Sequence, residues 1–244
     1  MTSTRSTHST GWTTVGVVCL LLAPLLSMAA DLARMQAEQS GALAGIVSET
    51  GSDQLAAMLA AIDANLGLYQ VASWLALAAA VVAIPAVGAV RRLTVARSPR
   101  WSAAAFFTGI CLVIGEFVHL MGYYAWNQML VASPDRQAAV ELGMQTEQNV
   151  FGLVVFAPYL IGVLLFWPFA GVALWRSRLI PVWSLGLVLA GAVVMIVAGS
   201  SFITSPVSAI ATVVGLAPVL VARSRSARTS ADPAVANAST PVVT

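Results

Sequence analysis

The sequence contains no lysine, and only 9% of its 244 residues carry a charge. Soluble domains carry about 25% charged residues, because these residues keep their surface hydrated. This chain is instead 59% hydrophobic, with a mean hydropathy of +0.85. The composition therefore excludes a water-soluble globular fold and is typical of an integral membrane protein.

Cysteine and histidine are also scarce, with two residues of each. Cys19 and Cys111 both lie inside apolar runs, so we expect buried free thiols and no disulfide. The sequence has no CxxC pair, no HExxH motif, no GxxxxGK loop and no GxSxG motif. We therefore predict no cofactor and no metal ion, and the lack of a basic, aromatic-rich surface argues against binding to nucleic acid.

Six apolar runs have about the 20 residues that are needed to cross the hydrocarbon core of a bilayer. We predict an all-α polytopic protein, a bundle of six transmembrane helices with two outer helical segments. Its transmembrane domain would cover residues 12–223, between disordered tails at 1–11 and 224–244. In an alternative that stays open, residues 1–30 are a cleaved signal peptide and five spans remain. The predicted spans are 12–30, 69–90, 102–124, 151–174, 180–199 and 205–222.

The placement of arginine predicts how the chain crosses the membrane. Ten of the twelve arginines fall in segments on one side, and only Arg34 and Arg136 fall on the other. Acidic residues show the opposite distribution. Because arginine is enriched in cytoplasmic loops, we predict a bacterial inner (cell) membrane protein with both termini in the cytoplasm.

The two outer segments have helical patterns of their own. Ser52 or Asp53 would cap the first helix, and the second would begin at Ser133 and Pro134 and continue into the fourth span. Both helices would cover the end of the bundle or bind a protein partner. Beyond the lipid bilayer, a second copy of the chain is the other partner left open. The apolar positions of the first helix share one face: Leu55, Met58, Leu59, Ile62 and Leu66.

Glu116 is the only acidic residue inside a predicted span, and His119 is the only histidine there. Because they are spaced three or four residues apart, Glu116, His119, Tyr123 and Asn127 share one helical face. An ionisable side chain at the centre of a bilayer costs about 2.5–3.5 kcal/mol. We therefore expect this polar stripe to face the bundle interior or a water-filled cavity.

Two further residues are candidate partners of the stripe. Counting from the outer surface puts Tyr159 and Thr212 at a similar depth to Glu116. In one interpretation, Glu116 carries a proton for the coupled transport of a small solute, and Tyr123 and Asn127 lead outward. In another, the carboxylate bonds to its neighbours and locks the helix packing.

Two other roles have weaker support in the sequence. An ExxH pair can bind iron or haem, but the further carboxylates or second histidine would have to come from a symmetric dimer. Acid–base chemistry on a lipid would define an enzyme, but no nucleophile or phosphate-binding loop accompanies the stripe. The residues favour a non-enzymatic accessory or binding component. The proton-coupled carrier is the alternative, and a lipid-active enzyme is third.

Three stretches carry a resemblance to known proteins: IPAVGAVRRL at 84–93, RSPRW at 97–101 and LWRSRLIPVW at 174–183. With them, the chain resembles small multispanning membrane proteins of GC-rich Gram-positive bacteria, which form families of unknown function. The resemblance covers most of residues 50–200. It implies a fold of about six helices and brings no activity, and Glu116 and His119 are not part of the shared pattern.

Overall fold

The computed structural model describes residues 6–38, 51–147 and 149–222. These residues are 89% helical and contain no strand, which confirms the all-α polytopic class. The predicted tail at 224–244 lies outside the described residues, and so do residues 1–5 of the other tail. The helices of the described residues are α1 (Ser6–Ala37), α2 (Gly51–Ala64), α3 (Leu66–Thr94), α4 (Pro99–Val131), α5 (Arg136–Glu147), α6 (Val150–Arg176), α7 (Val182–Ala198) and α8 (Thr204–Ala222).

Five of these helices are long and apolar enough to cross a membrane: α1 from Gly11 onward, α3, α4, α6 and α8. The remaining predicted span, at 180–199, corresponds to α7, an apolar helix of 17 residues. At 1.5 Å per residue α7 is about 26 Å long, close to the thickness of a bilayer's hydrocarbon core.

The first span is longer than predicted, because α1 continues through Asp31 to Ala37 instead of ending at residue 30. Ion pairs along the helix explain the difference. The Arg34 guanidinium lies 3.4 Å from an Asp31 carboxylate oxygen and 2.8 Å from an oxygen of Glu38. Pairs at these spacings stabilise a helix and compensate the charges where the apolar run ends.

Two glycines bring α4 and α6 into close contact. A Cβ atom on Gly115 would collide with the backbone of Tyr159, and one on Gly162 would collide with the backbone of Leu112. Small residues at a helix crossing let the two backbones approach each other, as is common in membrane proteins. The crossing places the middle of α6 directly beside Glu116.

The two outer helices pack at one end of the bundle. On α2, Leu55, Leu59 and Ile62 are buried, as the predicted apolar face requires. The helix begins at Gly51, so Ser52 and Asp53 are not caps but lie in its first turn.

The cap predicted for the second outer helix was also misplaced. Asp135, rather than Ser133 or Pro134, accepts a hydrogen bond at the start of α5, from the Ala138 amide at 3.0 Å. The helix does not continue into the next span. Asn149 instead caps a new helix, α6, by accepting a 2.9 Å bond from the Phe151 amide.

Candidate functional site

A cavity of about 300 Å³ lies among α1, α3, α4, α6, α7 and α8. Its lining extends to Gly199 and Ser200, which are exposed in the connection between α7 and α8. The cavity therefore runs from the bundle interior toward one end of the protein. Its volume is at the lower end of the range for pockets that hold small molecules, about 300–1,000 Å³.

Four of the six predicted site residues line this cavity: Glu116, His119, Tyr159 and Thr212. The first two come from α4, whereas Tyr159 comes from α6 and Thr212 from α8. The close crossing at Gly115 holds Tyr159 against α4. The prediction that Tyr159 and Thr212 lie at the depth of Glu116 therefore identified side chains that line the same cavity.

Glu116 lines the cavity and is half-buried. Among the residues that the structure describes, none forms a hydrogen bond or an ion pair with its carboxylate. The bond to His119 that a packing lock between the two would use is therefore missing. An acid at this depth without a protein partner is a costly arrangement.

His119 lies between two tyrosines. Its ring stacks on that of Tyr159, with centroids 4.5 Å apart and planes at 14°, and on that of Tyr123 at 5.2 Å and 20°. The Nδ1 atom is buried and has no hydrogen-bond partner in the described part of the chain. Stacking thus fixes the orientation of the imidazole, while one of its polar atoms stays unsatisfied.

Asp31 also lines the cavity, and it was missed by the sequence analysis. The prediction assigned it to an outer loop and left Glu116 as the only acid in a span, and both statements need correction. In the structure, Asp31 belongs to α1 and accepts a 3.3 Å hydrogen bond from the Ser205 hydroxyl. The i, i+3 and i, i+4 spacing of Asp31, Arg34 and Glu38 was the available signal, because it predicts a continuing helix.

Tyr123 and Asn127 do not line the cavity and do not form an outward path from it. The Tyr123 hydroxyl donates a 2.7 Å hydrogen bond to Glu38, whose other carboxylate oxygen accepts one from Arg34 at 2.8 Å. Asn127 donates a 3.1 Å hydrogen bond to the Tyr69 hydroxyl. These two members of the stripe join α4 to α1 and α3 beyond the cavity.

The stripe divides where α4 changes its geometry. A π-helical turn spans Leu120–Ala125, immediately after His119. Tyr124 is buried in this turn, and its ring meets His119 edge-on at 5.5 Å. A π-helical turn contains an extra residue and is frequently found at functional sites. No pattern in the sequence predicted this turn.

The chemistry of the cavity is that of an acidic, hydroxyl-bearing and aromatic pocket. Asp31 and Glu116 supply carboxylates, while leucine, valine and methionine side chains supply apolar wall. Within the described residues, no group of three histidine, cysteine or acidic side chains is close enough to hold a metal ion. A comparison of the chain with protein-family models, curated proteins and solved structures found no match.

Proposed function

We propose that the protein is a non-enzymatic membrane component that binds a small solute in the cavity beside Glu116. The observation that carries this proposal is the Glu116 carboxylate, which has no bonding partner among the described residues and belongs to the lining of a cavity of ligand size. A carboxylate with only a packing role is expected to have a bonding partner on a neighbouring helix. Glu116 lines a cavity and has no such partner among the described residues.

The proposal includes a location and a topology. The protein would be a bacterial inner-membrane protein with six spans, α7 being the shortest, and with both termini in the cytoplasm. Arg97 and Arg178 lie in the connections at one end of the bundle. Acidic α2 and α5 lie at the other, as expected if that end is outside. The cavity would then open toward the outer side.

A proton-coupled carrier is the second candidate function. The observation that favours it is the second acid in the cavity, Asp31, together with the extension of the cavity to the exposed connection at Gly199 and Ser200. A carrier needs a site that exchanges a proton for a solute and a path to one side of the membrane. Both candidates begin with the same event, the binding of a solute next to Glu116.

A thermal-shift screen of the purified protein in detergent tests the binding proposal without assuming a ligand. Small cationic, anionic and neutral solutes are added to wild type, to Glu116→Gln and to the control Glu141→Gln, whose carboxylate is exposed on α5. We expect at least one class to raise the melting temperature of wild type and of the control, but not of Glu116→Gln. If no class stabilises wild type, or if all three proteins respond alike, the proposal is wrong.

A further inference from the structure

The charges around the cavity are not balanced. Arg34 is the only cation near its acids in the described residues, and it lies closer to Glu38, at 2.8 Å, than to Asp31, at 3.4 Å. Glu38 itself does not line the cavity. The two acids that do, Asp31 and Glu116, therefore share at most part of one positive charge. A cationic ligand would compensate the remainder.

One part of the polar wall, made of the two carboxylates and two of the seven lining hydroxyls, offers hydrogen-bond acceptors only. Ionised carboxylates only accept hydrogen bonds. Two of the lining hydroxyls have already donated their protons, Ser205 to Asp31 and Ser208 to the Gly191 carbonyl at 2.9 Å. Their remaining lone pairs can only accept. A ligand group that fits between these acceptors carries N–H donors as well as a positive charge.

Another part of the wall is apolar. Val163, Leu164 and Trp167 of α6 line the cavity, and so does Met195 of α7. Such a surface suits an aliphatic chain, because removing methylene groups from water is favourable. It has no charged side chain that would match a second polar group on the ligand.

From these three features we infer the class of ligand, and this inference rests on the proposed function. The cavity binds a small aliphatic amine in its protonated form. The ammonium group lies between Asp31 and Glu116, and the alkyl chain follows the apolar side chains of α6. A quaternary ammonium lacks the N–H donors, and an alcohol lacks the charge, so both should bind less well.

Isothermal titration calorimetry on the full chain in lipid nanodiscs tests this inference. The probes are n-butylammonium, 1-butanol, butyrate and tetramethylammonium. 1-Butanol keeps the alkyl chain without a charge, butyrate carries a negative charge, and tetramethylammonium is a cation without N–H donors. We expect saturable binding of n-butylammonium, with an affinity about tenfold or more above that of the other three probes. We also expect about a tenfold loss in Glu116→Gln and no loss in Glu141→Gln. If Glu116→Gln does not give monodisperse protein, Asp31→Asn replaces it, because Asp31 lines the same cavity.

The outcomes separate the inference from the proposal on which it rests. If 1-butanol or butyrate binds best and the binding depends on Glu116, the amine class is wrong but the binding function stands. If tetramethylammonium binds as tightly as n-butylammonium, the N–H argument is wrong. If n-butylammonium binds equally to wild type and Glu116→Gln, the inference is overturned. If the thermal-shift screen also finds no solute of any class, the proposed function fails with it.

Discussion

The imidazole ring of His119 stacks on the phenol ring of Tyr159, with ring centroids 4.5 Å apart and planes 14° from parallel. The contact joins α4 to α6 one turn away from the crossing at Gly115. It also forms the wall of the cavity next to Glu116. Helix packing and the candidate site therefore depend on the same pair of side chains.

The first prediction concerns this stack. His119→Phe keeps an aromatic ring and removes the buried Nδ1 atom, whose missing hydrogen bond costs about 1–3 kcal/mol. We expect a melting temperature in detergent equal to or above that of wild type. Tyr159→Leu removes the ring contact and should lower stability by about 1–3 kcal/mol. A large loss of stability in His119→Phe would show that Nδ1 has a structural partner.

The second prediction concerns the crossing of α4 and α6. In Gly162→Ala the new Cβ atom would collide with the Leu112 backbone, so the helices must separate. We expect a loss of about 1–3 kcal/mol in thermal unfolding. Gly186→Ala on α7 is the matched control, because a Cβ there meets open space. Equal stability of the two variants would show that α4 and α6 do not cross closely at Gly162.

The third prediction is a pH dependence at the C-terminal end of α1. Burial raises the pKa of Glu38 above its ordinary value of 4.5, and Arg34 and the Tyr123 hydrogen bond only partly oppose this. The folded state then binds a proton at Glu38 at a higher pH than the unfolded chain does. The contribution of Glu38 to stability is therefore largest at low pH and falls as the pH rises through the raised pKa.

Tyr123→Phe tests this assignment. The variant loses the 2.7 Å hydrogen bond to Glu38, and a bond to an ionised carboxylate contributes about 1.5–3 kcal/mol. We expect the cost to be greatest at pH 8 and smaller at pH 5, where a larger fraction of Glu38 is protonated. Thermal unfolding of the same variant in a Glu38→Gln background is the control, and there the pH dependence should vanish. A stability cost that is larger at pH 5 than at pH 8 would show that Tyr123 does not bond to the ionised form of Glu38.

The fourth prediction concerns topology. Cys19 and Cys111 are free thiols that are half-buried, rather than fully buried as expected from the sequence, and alanine can replace both. In that background, Ala96→Cys and Ala138→Cys place single thiols on exposed positions in the α3–α4 turn and on α5. A membrane-impermeant maleimide applied to intact cells should label residue 138 and leave residue 96 unlabelled. Labelling of residue 96 alone would show that the chain has the opposite orientation to the one proposed.

Much of the fold followed from the sequence because apolar length determines where a chain can cross a bilayer. The errors occurred where charges interrupt an apolar helix. Asp31 was expected to end the first span, but its pairing with Arg34 keeps it within α1. The site showed the same limit. Counting residues from the outer surface correctly predicted that Tyr159 and Thr212 lie near Glu116. No sequence pattern predicted the π-helical turn, in which Tyr123 bonds to Glu38 instead of lining the cavity.

The central claim is that Glu116 is present for a ligand and not for the fold. Thermal unfolding of ligand-free wild type and Glu116→Leu in detergent tests it most directly, with Glu141→Leu as the exposed control. The account predicts that Glu116→Leu unfolds at the same or a higher temperature, because it removes a carboxylate that costs about 2.5–3.5 kcal/mol inside a bilayer. A markedly lower temperature would mean that Glu116 locks the bundle, and the binding site proposed here would lose its foundation.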